Sequence, residues 1–330
     1  MIAQFVKKHI SEWKNEDCEF PTFLLTFILV RFKSLNYYFT GALTMAQRIT
    51  GHTRLIGLIA DPIRHSKSPM MHNTAFEALG LDYVYLAFEL GNDSLGDAVR
   101  GLKALDARGF NVSMPYKSEM IRFMDEVLPA GQMCGAVNTV LIENGRMIGT
   151  STDGEGFMQA CRHNGMDIIG KKITLLGAGG AATAITMQAG LDGVDEISIF
   201  TRCGKSRQRA IHNAEVLSSE TSCRATVHSL EDLDELRHEI ADSVLLCNAT
   251  GVGFGNQQGK CLIPDESFLR PELLVTDVIY SPAETPLLKM ARSVGCRTSN
   301  GLDMMLYQGA ASFRIWTGQE MPVELVRKNL

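Results

Sequence analysis

The sequence predicts an α/β protein of two domains, each a sheet with helices packed against it. Three observations carry this reading. From Arg54 onward, short apolar runs alternate with helical patterns, the signature of βαβ units and a largely parallel sheet. A second series of the same kind restarts at Lys171, where a strand runs into a glycine-rich turn. The 330 residues fit about two ordinary domains, and 45 % hydrophobic with 21 % charged residues is a globular composition, neither disordered nor fibrous.

In chain order, Arg54–Ala60 reads as a strand, Pro69–Leu79 as a helix and Tyr83–Leu90 as a second strand. A helix over Leu95–Leu105 leads to a strand around Phe110–Met114. Ala136–Ile142 and Arg146–Gly149 flank Glu143-Asn144-Gly145, and Asn-Gly between apolar runs signals a hairpin because both residues tolerate positive φ. The next helix starts near Gly154. The second series holds strand Lys172–Leu176, a helix ending at Leu191, and strands at Glu196–Thr201, Arg224–Val227, Ser243–Asn248 and Leu273–Ile279. Thr285–Val294 is a helix, and the last helix, Gly301–Trp316, is expected to leave the second domain and pack back on the first. The expected division is an extension over 1–45, a first domain over 46–153 completed by 301–330, and a second over 154–300. No Gly/Ser/Pro linker separates the halves, so a cleft between joined domains is the expected binding place.

Before Arg54 the pattern is absent. The most apolar window, Phe20–Phe32, holds Pro21 and Arg31 and falls short of the ~20 residues a spanning helix needs. Acidic residues precede it and basic ones follow, the reverse of a secretory signal. Residues 1–45 are therefore expected to be an extension outside the fold, with the alternative that Met45 is the true start and 1–44 an upstream read-through. The net charge of −5 supplies no global positive field for nucleic acid or anionic membrane. Eight scattered cysteines without a C-x-x-C pair argue against zinc and against a disulfide framework, which points to a reducing cytoplasm. His65, His72 and His163 lack metal-ligand spacing, so no metal is expected.

Gly177-Ala178-Gly179-Gly180-Ala181-Ala182 follows a strand and opens a helix. The first glycine permits the tight turn, the second lets backbone N–H groups approach a pyrophosphate, and the small residue at 182 allows close helix–sheet packing. Other candidates are ambiguous when read alone. Ser66 and Ser68 offer hydroxyls to a small carboxylate, but read alone Ser68 before Pro69 is expected to be an ordinary helix cap. Lys117, after the turn at Pro115, is either a group at the mouth of the sheet or a solvated surface lysine. Asp153 fits an N-cap, and Asn138 a turn that satisfies its own backbone.

Taken together, PIRHSKSP, GFNVSMPYK, GAVNT, STDG, LLGAGGAA, NATGVG, DVIYSP and NGLDMMLYQGA, in this order from about Thr53 to Leu325, make the chain resemble the shikimate/quinate dehydrogenases, nearest the quinate/shikimate branch. The resemblance implies a substrate domain first, a Rossmann domain for NAD(P) second, and a C-terminal helix completing the first. It implies hydride transfer between shikimate and 3-dehydroshikimate, and between quinate and 3-dehydroquinate, in aromatic amino-acid biosynthesis. Lys117 and Asp153 match the family's catalytic pair. Ser66 and Ser68 match the serines on the substrate carboxylate, Asn138 the asparagine on its hydroxyls, Gln308 the glutamine of the last helix, and Tyr280 a tyrosine near substrate and nicotinamide. Ser113 stands where threonine is frequent and keeps the hydroxyl. On the cofactor side the resemblance points to Gly177, Ala178, Gly179, Gly180, Ala181, Thr201, Arg202, Arg207, Val278 and Gly301. Three departures stand out: Ser151 for a common asparagine, Gly251 for serine or lysine, and Asp303 for a frequent glycine, where a carboxylate is expected to disturb cofactor seating.

Residues 201–209, TRCGKSRQR, hold four basic side chains and no acid. A carboxylate there would hydrogen-bond the ribose 2′-OH of NAD; a guanidinium pairs with the 2′-phosphate of NADP. NADP is thus the expected cofactor, with NAD the alternative and a solvated basic helix start the bland reading. The expected partners are a small-molecule substrate and a second copy in a homodimer, with neither nucleic acid nor membrane. A non-catalytic sensor of shikimate or quinate on the same fold, and an aminoshikimate dehydrogenase, are the competing functions; a sensor has no use for the lysine–aspartate pair. A chain starting at Met45 is expected to fold and keep full activity, and insoluble or inactive protein would show that the apolar window packs on the core.

Overall fold

A computed structural model of the chain describes residues 49–330 apart from His65, Asn92 and Asp93. The Phe20–Phe32 window and the Met45 start lie outside the described residues. Residues Arg54–Leu330 form one unit, built on two sheets.

The first sheet grows from two crossovers. Strand β1 (Arg54–Ala60) pairs in parallel with β2 (Tyr83–Glu89) and β3 (Gly109–Val112), with α1 (Ser68–Ala78) and α2 (Leu95–Ala104) between them. After the short β4 (Glu126–Val127) and α3 (Pro129–Cys134), an antiparallel hairpin of β5 (Thr139–Glu143) and β6 (Arg146–Thr150) completes the order β2-β1-β3-β5-β6-β4. Its turn is the expected one: Asn144 and Gly145 both have positive φ, 51° and 74°. Both faces of β1 are covered, as alternation along a strand requires. Ile56, Leu58 and Ala60 meet a cluster with α1 and the C-terminal helix, while Ile59 joins the α2 side.

The chain crosses to the second sheet on α4 (Asp153–His163). Strands β7 (Lys172–Leu176), β8 (Glu196–Thr201), β9 (Arg224–Ser229), β10 (Leu245–Asn248), β11 (Leu274–Asp277) and β12 (Arg297–Ser299) are all parallel, in the order β12-β11-β10-β7-β8-β9. Helices α5 (Gly180–Leu191), α6 (Lys205–Glu220), α7 (Leu233–Asp242) and α8 (Pro286–Val294) connect them. This is the doubly wound Rossmann order. Helix α9 (Gly301–Thr317) then packs along α4 and re-enters the first core, followed by α10 (Val323–Arg327). Trp316 anchors the return: its buried indole N–H donates to the Val140 carbonyl at 3.0 Å.

Some expected boundaries shorten for visible reasons. β11 ends at Asp277 rather than Ile279 because the Asp277 carboxylate accepts the Ile279 N–H at 3.0 Å and bends the chain. The strand expected from Ala136 starts at Thr139, since Val137 N–H turns aside to the Lys117 carbonyl at 2.8 Å. Strands β4 and β12 and helices α3, α7 and α10 are not among the elements expected from sequence, and of α6 only the start is.

His72 in α1 is fully buried, stacked on Tyr85 at 4.4 Å and edge-on to Trp316, with neither ring nitrogen hydrogen-bonded among the described residues. Burial pushes its pKa down from 6.5 to about 3. The unfolded chain therefore binds the proton first as pH falls, so stability is full above about 6.5 and declines toward 3. This one group is expected to remove roughly 1.4 kcal/mol per pH unit over that window. His72→Phe should keep the ring stacking and flatten the decline in urea melts between neutral and acid pH; equal slopes for both proteins would contradict this.

Candidate active site

The second sheet reverses its winding between β7 and β10, and ligands of such sheets bind in the crevice beyond the strand ends there. Gly177 leaves β7 with φ +117°, a region closed to most side chains, and a Cβ would lie 2.8 Å from the Ala249 carbonyl. Gly179 stands at the N-cap of α5 and no side chain caps the helix, so the first N–H groups, around Gly180 and Ala181, face outward without intrahelical partners. At the end of β8, Thr201 is buried and Arg202 exposed, while Arg207 is half-buried in the first turn of α6. The cation that reaches the glycine loop is Arg209, whose Nη1 donates to the Ala178 carbonyl at 3.3 Å. Together these features form a cradle for a dinucleotide phosphate: free backbone donors, cations and no carboxylate on the β8–α6 turn.

Val278 and Gly301 meet at the other side of the crevice. A Cβ on Gly301 would stand 1.9 Å from the Val278 carbonyl, so contact between the end of β11 and the start of α9 excludes a side chain there. The buried Asp277 carboxylate fixes this corner, accepting from Asn248 Nδ2 at 3.0 Å, Thr285 Oγ1 at 2.8 Å and Ile279 N–H at 3.0 Å. Its burial pushes the pKa up against those three donors.

On the first domain's side, Lys117 Nζ lies 2.5 Å from Asp153 Oδ2, with the two side chains 23 % and 17 % exposed, so the pair is sheltered yet open to a ligand. Asp153 is the first residue of α4, where the helix dipole favours a carboxylate; Thr152, not Asp153, holds the N-cap position. Asn138 Nδ2 donates to Asp153 Oδ1 at 2.8 Å, so each carboxylate oxygen has its own donor. A lysine held by one carboxylate oxygen keeps donors for an oxygen of a bound alcohol or ketone.

The cap expected of Ser68 is not formed. Ser68 is the first residue of α1 behind Lys67, no side chain caps the helix, and the Ser68 N–H donates to Ser66 Oγ at 3.2 Å. The Ser68 hydroxyl instead lies against the Tyr85 phenol. Ser113 follows β3, and Tyr280, 36 % exposed, follows β11; among the described residues neither hydroxyl is hydrogen-bonded. Gln308 Nε2 donates back to the Met305 carbonyl at 2.9 Å within α9. The Asp303 carboxylate is taken by Asn164 Nδ2 at 2.7 Å and by Arg327, which ties α4, α9 and α10 together. The sequence counts Arg209 among the basic residues of 201–209 but points to Arg202 and Arg207 instead, and it gives no role to the buried polar side chains of Asn111, Thr139, Thr152 and Ser312. For Ser312 the available signal was its spacing, four residues after Gln308 on an otherwise small and apolar helix face.

Two family models match the chain. One, described as the shikimate dehydrogenase substrate binding domain, covers residues 58–140; the other, the shikimate 5'-dehydrogenase C-terminal domain, covers 301–330. Shikimate dehydrogenase (NADP(+)) of Listeria monocytogenes is 54 % identical over 286 residues, which is 87 % of this chain and 98 % of that protein. The crystal structure of shikimate 5-dehydrogenase from Listeria monocytogenes, in complex with shikimate and NAD, superposes with a TM-score of 0.84 at 54 % identity, covering 86 % of this chain and 98 % of that one. Quinate dehydrogenase from Corynebacterium glutamicum in complex with NAD gives 0.75 at 29 % identity, over 84 % and 98 % of the two chains.

Proposed function

This chain belongs to the shikimate dehydrogenase family, and we propose that it interconverts shikimate and 3-dehydroshikimate with NADP, using Lys117 as the proton-transfer group. The observation that carries the proposal is the Lys117–Asp153 pair at 2.5 Å, sheltered and open on one side. Oxidising the C3 alcohol removes a hydride from carbon and a proton from oxygen. NADP, when bound, supplies the hydride chemistry. Lys117 in its amine form takes the hydroxyl proton, and as ammonium returns it to the ketone oxygen in the reverse direction. Asp153 holds the lysine within reach and balances its charge, and Asn138 holds Asp153.

Ser66 and Ser68 receive the substrate carboxylate: the Ser66 hydroxyl accepts the Ser68 N–H and keeps its own proton for a carboxylate oxygen. Ser113, Asn138, Tyr280 and Gln308 receive the ring hydroxyls, and the hydroxyls of Ser113 and Tyr280, without a hydrogen bond among the described residues, are consistent with this. The reading keeps the division at 46–153 with 301–330 for substrate and 154–300 for cofactor, and it extends to a cytoplasmic homodimer without nucleic-acid or membrane partners. Among the described residues, seven cysteines are free and no helix is long and apolar enough to cross a membrane. Quinate carries the same carboxylate and C3 alcohol, so it is the second substrate to assay.

Purified protein with shikimate and NADP⁺ should generate reduced nicotinamide. Lys117→Ala should lower turnover by roughly 10²–10⁴ and leave shikimate binding less affected; Asp153→Asn should also lose turnover, without adding to the loss in Lys117→Ala. Turnover near that of the parent would remove Lys117 from the mechanism. NADP should be preferred over NAD by kcat/KM, and replacing Arg202 and Arg207 together by Ala should erase most of the preference. Wild-type protein using NAD about tenfold better, a difference of ~1.4 kcal/mol, would contradict this reading of the loop and leave the dehydrogenase reaction standing.

A further inference from the structure

Behind the Lys117–Asp153 pair lies a closed cluster of polar side chains to which the proposed reaction gives no role. Asn111 on β3, Thr139 on β5, Thr152 ahead of α4 and Ser312 on α9 are 7 %, 0 %, 1 % and 0 % exposed. The Ser312 hydroxyl lies 2.8 Å from Thr139 Oγ1 and, less closely, 3.0 Å from the Gln308 carbonyl and 3.2 Å from Thr152 Oγ1, and it accepts from Asn111 Nδ2 at 3.2 Å. A hydroxyl has one proton to give, and the short contacts run in one direction: Ser312 donates to Thr139, and Thr139 donates to Asn138 Oδ1 at 2.9 Å. The same oxygen accepts the Thr152 N–H at 2.9 Å, while the Thr152 hydroxyl, 3.2 Å from Oδ1 and 3.0 Å from Nδ2, fits either face of the amide.

These contacts settle which way the Asn138 amide faces. Turned over, it would set its NH₂ against the Thr152 N–H and its oxygen against the Asp153 carboxylate. Held as it is, Nδ2 donates to Asp153 Oδ1 at 2.8 Å, which leaves Oδ2 to Lys117 at 2.5 Å. Ser312 is the one member of this cluster contributed by the C-terminal helix.

We propose that Ser312 is a positioning residue for the reaction: its hydroxyl turns the Thr139 hydroxyl onto Asn138 Oδ1, which helps lock the Asn138 amide, and through that amide the carboxylate that holds Lys117. The proposal rests on the dehydrogenase reading above. A buried serine that served only to fill space and satisfy its neighbours would change the thermal midpoint and the active fraction. It would not tie Ser312 energetically to Asp153.

The test uses the full chain and its Ser312→Ala, Ser312→Cys, Ser312→Thr, Asp153→Asn and Asp153→Asn/Ser312→Ala variants. Ser312→Ala and Ser312→Cys, the latter keeping the volume without a strong hydrogen bond, should lower kcat for shikimate oxidation about tenfold with KM for NADP unchanged. Ser312→Thr should restore kcat to within about twofold, and Ser312→Ala added to Asp153→Asn should cost nothing further. The side-chain amide of Asn138, followed by NMR in selectively labelled protein, should move in Ser312→Ala and not in Ser312→Thr. A wild-type protein that does not oxidise shikimate overturns the function alone, because the amide resonance still decides the role of Ser312. An unmoved Asn138 amide, an unchanged kcat in active protein, or a loss that multiplies with that of Asp153→Asn overturns the positioning role.

Discussion

One contact, Lys117 Nζ to Asp153 Oδ2 at 2.5 Å, sets what the rest of the first domain must do. Lys117 comes from the turn after β3 and Asp153 from the first residue of α4, so strand and helix must meet within a hydrogen-bond length. A half-sheltered ion pair loses hydration on both partners, and it persists only where further hydrogen bonds satisfy the remaining valences. The Asn138 amide does so for the carboxylate, and the Val137 N–H fixes the Lys117 backbone at 2.8 Å. The β5–β6 hairpin carries Asn138 to this point, and the return of α9 closes the cluster behind it. Topology that looks elaborate around a small sheet is the consequence of bringing four chain segments to one carboxylate.

The second domain meets a different constraint, which is backbone approach. Gly177 turns where a side chain would strike the Ala249 carbonyl, and Gly301 lets the start of α9 touch Val278. Asp277, buried between three donors, is the polar counterpart of these contacts: it stops β11 and sets the corner from which α9 departs. The same helix then carries Gln308 and Ser312 back into the first domain. Helices α4 and α9 pack along one another between the sheets, so the two constraints share a common spine.

Much of this is legible in the residues themselves, because local rules and tertiary demands agree. Asn144-Gly145 makes the hairpin it announces, and the strand–glycine–helix run at Lys172–Ala182 makes the tight phosphate-facing turn. What escapes the sequence depends on helix phase and on distant partners. Ser68 before Pro69 has the chemistry of a cap, yet the helix begins one residue earlier and its hydroxyl turns to Tyr85. Arg202, Arg207 and Arg209 are equivalent on paper; only the register of α6 brings Arg209 to the Ala178 carbonyl. Asp303 looks like an intruder beside the cofactor until Asn164 and Arg327, 139 and 24 residues away, engage its carboxylate. Ser312 is invisible for the same reason, since Thr139 lies 173 residues away.

The most direct measurement is a crystal structure of the protein with shikimate and NADP. The Lys117 Nζ should lie within hydrogen-bond reach, about 2.6–3.2 Å, of the oxygen on the carbon that faces the nicotinamide, with the Asp153 contact retained. The substrate carboxylate should sit on the Ser66 and Ser68 hydroxyls. A ring bound with its reacting oxygen away from Lys117, or with the lysine turned out to solvent, would contradict the account.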